Sequence, residues 1–186
     1  MAIQVGIDPG NSGALVILRA TNALFFDTPT VKVKVGKKIK NQINPHACAA
    51  LLREFIGSKD VLVTIEKVAP MPSFKGPGGV AQAMGVTSAF SFGWGYGLWI
   101  GICAAMEIPY QLVHPASWKR KIMSDMAKGK DASRVKAMQL YPWAAKDLTR
   151  VKDHGRADAL LLAHYGLLYG APKVEEVEEE AEATLF

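Results

Sequence analysis

The chain has 186 residues, 49% hydrophobic and 21% charged, with a formal net charge of +5, which suits one domain with a buried core and leaves little room for a second. Its most apolar stretch, FSFGWGYGLWIGICAAM, is shorter than the ~20 residues of a membrane span and crowded with glycine, so it predicts a core helix of a soluble protein. The two cysteines, Cys48 and Cys103, lack any CxxC or Cys/His spacing, which argues against zinc or a disulfide framework and suits a reducing compartment.

In chain order, residues 2–8, about 13–19 and about 23–28 are short apolar runs separated by PGNSG and ATN, the pattern of an antiparallel meander. KVKVGKKIKNQ follows, polar and basic, readable either as a strand pair at a sheet edge or as a loop. From Pro45, HACAALLREFI has helical period and ends at Gly57. VLVTIEKV is then a continuous apolar run, read as a buried strand. Residues 69–79, APMPSFKGPGG, form a Pro/Gly loop, the expected flexible segment ahead of the tail. A long helix is predicted over about 80–106, then the strand YQLV and a helix opening at PASWKRK. Asp131 suits the N-cap of ASRVKAMQLYP, which Pro142 stops. A last helix begins near Asp153 and carries ADALLLAHYGLLY. After Pro172 the chain is acidic and poor in core residues, the composition of a disordered tail over 172–186 behind a folded unit of residues 1–171.

Charge is unevenly spread. From Lys173 onward one lysine stands against six glutamates, a net of −5, which leaves +10 on residues 1–172. A body that basic favours a polyanionic partner such as nucleic acid.

Two acids interrupt apolar runs. Asp8 closes the first strand and Glu66 closes the VLVTIE strand, where a lone carboxylate is costly without a compensating charge or hydrogen bonds. For Asp8 alone, the amides of the Asn11–Gly13 turn are an alternative partner. If the two strands are neighbours, the carboxylates sit together and call for a proton or a cation between them. Magnesium fits, because it takes oxygen ligands from a few carboxylates plus water and phosphate. His154 and Asp158, four residues apart on the last helix, lie on one face and offer further ligands.

VGIDPGNSGALVI, VTIEKV and KDHGRADALLLAHYG, in this order and with a Trp-Lys segment between, resemble the RuvC-type Holliday junction resolvases of the RNase H-like superfamily. The resemblance spans about residues 2–170, and GYGLWIG and DHGRADALLLA are closer to its chloroplast and phage branch. It implies an α/β fold with a five-stranded mixed sheet flanked by helices, a homodimer, and two-metal cleavage of four-way DNA junctions with Mg2+, for which Mn2+ substitutes. Position by position it makes Asp8, Glu66 and Asp158 metal ligands and catalytic residues. The fourth place is open between His154 and Asp153, since the acid that bacterial members often carry three residues before the last Asp is replaced here by Gly155. Lys119, Arg120 and Lys121 would meet phosphates, Phe74 with Lys75 would meet DNA at the junction, and Lys32, Lys34, Lys37, Lys38 and Lys40 would track the backbone. His46, His114 and His164 read as structural, and the GWGYGLWIG glycines as a packing face, by analogy at the dimer interface.

Other readings share parts of this pattern. IDPGNSG also resembles the first phosphate loop of sugar kinases and actin-like ATPases, but those need a second such domain. A nuclease of the same superfamily acting on flaps or RNA–DNA hybrids would share the metal site, and a junction-binding protein that does not cut would share only the basic surface. The terminal EATLF resembles short Leu-Phe motifs that bind the bacterial sliding clamp. The expected location is cytoplasmic and nucleoid-associated, in a bacterial or phage-infected cell, or an organelle after removal of a transit peptide.

Overall fold

A computed structural model describes residues 3–55, 61–68, 74–75, 81–82, 85–127, 129 and 131–170. The acidic segment 172–186, with the EATLF end that resembles a clamp-binding motif, lies outside the described residues, as does most of the Pro/Gly loop.

Strands β1 (Ile3–Asp8), β2 (Ala14–Leu18) and β3 (Ala23–Asp27) form the predicted antiparallel meander, with Asp8 opposite Ala14 and Ala14 opposite Asp27. The basic stretch is a separate two-stranded ribbon, β4 (Thr30–Val35) and β5 (Lys38–Ile43), which turns at Gly36 with φ +60°. It is largely exposed, and Ile43 at its end anchors it in the core. Helix α1 (Pro45–Phe55) leads into β6 (Val61–Glu66), which pairs parallel with β1.

Next, β7 (Phe74–Lys75) and β8 (Ala81–Gln82) pair as a short antiparallel ribbon. The long apolar helix therefore starts later than the predicted residue 80. It is α2 (Val86–Ala105), entered through Gly85 in an extended conformation, because residues 81–82 are committed to strand pairing. β9 (Tyr110–Val113) adds parallel to β6, giving a five-stranded mixed sheet of order β3-β2-β1-β6-β9. α3 (Pro115–Ile122) and α4 (Ala132–Leu140) follow, then two 3-10 turns (Pro142–Asp147, Val151–Asp153) and α5 (His154–Tyr169). Asp131 stands at the N-cap of α4, but its side chain makes no cap bond. It accepts instead from Arg134 Nη1 at 2.7 Å, the stronger, charge-assisted partner.

Alternation along the strands sorts the core into two layers. Val5, Ile7, Leu15, Ile17, Val63 and Ile65 pack with Cys48 and Leu52 of α1 and Trp99 and Cys103 of α2. Val16 and Leu18 pack on the opposite side with α5, α4 and Trp118 of α3. A sheet covered on both faces explains why its central strands read as largely apolar runs without a clear in–out alternation. Burial pushes both cysteine thiols up to about 12, so neither is a ready nucleophile or ligand.

Candidate functional site

Parallel pairing sets Ile7 beside Ile65, which brings Asp8 and Glu66 level at the carboxyl ends of adjacent strands. Period two puts both on the face of Gly6 and Thr64, the face that α5 covers. The helix lies against the backbone of β1, since a Cβ on Gly6 would overlap Ala159 O. Its first turn also crosses the Asp8 turn closely. A Cβ on Gly155 would sit 2.7 Å from Ser12 O and 3.2 Å from Asp8 Oδ2. A side chain at position 155 therefore has no room here, and the charge of Asp158, one turn further on, acts on both Asp8 and Glu66.

Electrostatics report the crowding. Burial, then the charges of Glu66 and Asp158, push the Asp8 carboxyl up to about 7, against the opposing pull of the Gly10 N–H and His154. Glu66 is raised by burial and by Asp158, with the Trp118 indole, Lys119 and His114 opposing. Asp158 is raised by burial, opposed by the Ser133 hydroxyl, Lys119 and His154. Its Oδ1 is buried with no hydrogen-bond partner. Among the described residues no group of three or more His, Cys, Asp or Glu side chains is placed so that it could hold a metal ion without rearrangement. Three mutually repelling, half-buried carboxylates, one with an orphaned oxygen, nevertheless offer the kind of oxygen ligands that a hard divalent cation takes.

The remaining predicted residues divide sharply. His154 is exposed, its Nδ1 lies 3.3 Å from Val151 O, and its charge is felt by Asp8 and Asp158. Asp153 is buried and engaged elsewhere. It accepts from Arg150 N at 2.7 Å, Nε at 2.9 Å and Nη2 at 2.6 Å. Burial opposes its ionisation, yet these bonds hold its carboxyl below the usual range. Lys119 stands close enough to act on both Glu66 and Asp158 and lies over the Trp118 ring at 5.0 Å. Lys121 is turned away, stacked over Tyr169 at 4.2 Å and Tyr165 at 5.3 Å, and Arg120 is exposed. Phe74 and Lys75 are placed only as ribbon backbone, their side chains lying outside the described residues. His114 caps α3 by accepting from Ala116 N, and His164 Nδ1 meets the Tyr141 hydroxyl at 2.7 Å.

The lysine ribbon lies beside this site. Asn11 Nδ2 donates to Asn41 O at 3.0 Å, and Lys40 shares with Gly10, Ser12, Thr87, Ser88 and Phe92 a cavity of about 300 Å3. Sequence reasoning missed two further groups. The Trp118 indole donates to Glu66 Oε1 at 3.0 Å. Arg156 Nε donates to Asp27 Oδ1 at 2.6 Å, with Arg150 Nη2 3.8 Å from the other oxygen, tying the start of α5 to the end of β3. The tryptophan beside Lys119 was the only local signal for the first, and no local signal announced the second.

No family model matches the chain. A curated relative, the chloroplastic Holliday junction resolvase MOC1 of Chlamydomonas reinhardtii, is 37% identical over 83 residues, 45% of this chain and 9% of the relative. The matched segment thus spans less than a tenth of that protein. Among solved structures, T. thermophilus RuvC in complex with Holliday junction substrate superposes with a TM-score of 0.54 at 15% identity, covering 92% of this chain and 99% of RuvC. The fold is that of RuvC, and the resolvase resemblance read from the sequence agrees with this relative over the matched 83 residues.

Proposed function

We propose that this chain is a metal-dependent endonuclease that resolves four-way DNA junctions, with Mg2+ as the native ion and Mn2+ a working substitute. The carrying observation is the convergence of Asp8, Glu66 and Asp158 at one end of the sheet, with Asp8 pushed up to about 7 and Asp158 Oδ1 unpartnered. The name of the chloroplast relative and the junction bound to the structural neighbour agree with this reading.

Asp8, Glu66 and Asp158 would hold the metal, with His154 the fourth donor, since Asp153 is bound to Arg150. A pair of such ions, when bound, supplies an activated water and a stabilised 3′ leaving oxygen. The chain's own side chains position the DNA. Lys119 neutralises a phosphate beside Glu66 and Asp158, and the lysine ribbon next to the Gly10–Ser12 turn carries the flanking strand. With Nδ1 turned to Val151 O, His154 presents Nε2 for a ligand bond or a proton.

The chain would act as a homodimer, because a four-way junction is two-fold symmetric and paired cuts need two sites related by that symmetry. The exposed face of α2, where Gly93, Gly97 and Gly101 have nothing within 4 Å, is our choice of contact. Among the described residues no helix is long and apolar enough to cross a membrane, and we place the protein with its DNA, in a nucleoid or an organelle. The deciding experiment offers synthetic four-way junctions, duplexes, flaps and RNA–DNA hybrids to the protein with Mg2+. Paired symmetric nicks on the junction alone support the proposal. Cleavage of hybrids or flaps instead identifies another RNase H-like nuclease, and binding without cleavage a junction-binding protein.

A further inference from the structure

We propose that Trp118 is a positioning residue for the metal site, its indole N–H fixing the carboxylate of Glu66 while its ring face holds the Lys119 ammonium beside the same site. The proposal rests on the nuclease reading above and extends it to a residue outside the acidic set.

The geometry is specific. Trp118 is fully buried on the α5 side of the sheet, where its aromatic body packs in the core. A buried indole carries one donor and needs one acceptor. Here the acceptor is a carboxylate from a strand 52 positions away in sequence, at 3.0 Å, rather than a nearby carbonyl. The path that delivers it is short. β9 pairs with β6 so that Val113 lies beside Glu66, Lys67 N donates to Val113 O at 2.8 Å, and α3 starts two residues later behind the His114 cap. The first turn of α3 therefore lies over the end of β6.

Glu66 is the acid that most needs such a restraint. It has one more side-chain torsion than Asp8 or Asp158, so an unrestrained carboxylate would sample several directions and lose that freedom on binding a cation. A charge-assisted bond to Oε1 holds the group in one orientation and leaves Oε2 to be presented in a set direction. Partners of this kind around ligating carboxylates orient them and raise metal affinity. The same ring lies under Lys119 Nζ at 5.0 Å, within cation–π range. One residue thus sets a metal-binding anion and a phosphate-binding cation relative to each other.

Trp118→Phe separates the roles, since it keeps an aromatic face for Lys119 and removes the N–H. Metal binding is measured on the full chain without DNA, by calorimetry with Mn2+ at a temperature well below unfolding. The proposal expects Mn2+ affinity to fall by about tenfold or more, with junction binding in Ca2+ unchanged. A second readout is the indole N–H spectrum of the wild type, which holds four tryptophans. The resonance missing from Trp118→Phe should be the one that moves most on adding Mg2+. Equal Mn2+ affinity in the variant, or a Trp118 resonance indifferent to Mg2+, overturns the positioning role even if the melting temperature drops, because a purely structural tryptophan gives that pattern. If the wild type binds no divalent metal, the nuclease reading fails first and this proposal falls with it.

Discussion

Helices α5 and α2 cover opposite faces of one sheet, yet their sequences and their burial run in opposite directions. α5 carries an arginine and an aspartate, and still buries Gly155, Ala157, Ala159 through Ala163, Tyr165 and Gly166. α2 has no charged residue, and only Gly95, Trp99, Ile102 and Cys103 of it are buried, with Val86 left 87% and Phe90 74% exposed. The difference lies in the backbone beneath. Gly6 and the small residues Ala159 and Ala163 let α5 settle directly on β1, whereas α2 meets large side chains and makes one close approach, at Gly95, over Pro9 O and the Ile43 side chain. Apolar composition alone therefore does not say which helix is interior. Close backbone contact does, and here it locks α5, which carries His154 and Asp158, and leaves much of α2 exposed.

The largest effects belong to the locked side. Asp8→Asn, Glu66→Gln and Asp158→Asn each remove a charge proposed to bind the metal and leave the basic surface intact. Each is expected to abolish cleavage of a four-way junction while binding, followed by gel shift in Ca2+, stays within a few-fold of wild type. Full activity in any one of them would remove that residue from the metal site. Gly6→Ala tests the packing itself. Its new methyl would overlap the Ala159 carbonyl, and backbone cannot rotate away as a side chain can. Overpacking costs about 1–3 kcal/mol and occasionally more, and a clash with backbone belongs at the upper end, so the variant should melt well below wild type or fail to fold. A wild-type melting curve would mean that α5 moves off β1 freely.

Much of this contrast is legible in the amino-acid sequence, and the reasons are particular. Asp8 and Glu66 stand out because each is the one charge in a largely apolar run, and strands buried on both faces leave no other place for a charge to hide. Asp158 follows from its spacing to His154 on a helix with no other acid. What escapes are contacts distant in sequence or choices between partners. Trp118 and Glu66 are 52 positions apart, and neither one's local pattern mentions the other. Asp131 and Asp153 both have cap-like positions, but neighbouring arginines take their carboxylates. The basic stretch alternates lysine and aliphatic residues, a strand pattern that cannot say whether it joins the main sheet. The exposed face of α2 is hidden by its composition, which reads as core throughout.

A smaller effect concerns pH and again falls on the α5 side. The folded protein raises Asp8 from 3.8 to about 7. Below pH 3.8 both folded and unfolded chains are protonated there, and the group has no influence. Between 3.8 and 7 the folded state keeps a proton that the unfolded state has lost, so stability falls as pH rises and the loss is complete above 7. On the proposed reading, a metal at Asp8 would compete with that proton and relieve the penalty. Metal-free protein should therefore melt at a higher temperature at about pH 5 than at about pH 8, and Mg2+ should raise the melting point mainly at the higher pH. Asp8→Asn should flatten the metal-free dependence. A metal-free protein most stable at about pH 8 would show that Asp8 does not hold a proton in this window.

The smallest expected effect is on the open helix and sharpens the comparison most. Gly97 lies mid-helix in α2, with nothing within 4 Å of a Cβ built on it. Alanine at an exposed helix interior is favoured over glycine by about 1 kcal/mol through lower backbone entropy loss. If α2 faces solvent in the single chain and glycine lets two copies approach, Gly97→Ala has opposite consequences at two concentrations. Dilute protein should gain a few degrees in melting temperature, because only the helix is affected. Concentrated protein should dimerise more weakly by sedimentation, because the methyl separates helices that small residues had allowed to touch. A stability gain with dimerisation unchanged would move the dimer contact away from the Gly93, Gly97 and Gly101 face. A loss of stability at every concentration would mean that part of the chain itself packs on α2, and that the contrast between the two helices is smaller than their burial suggests.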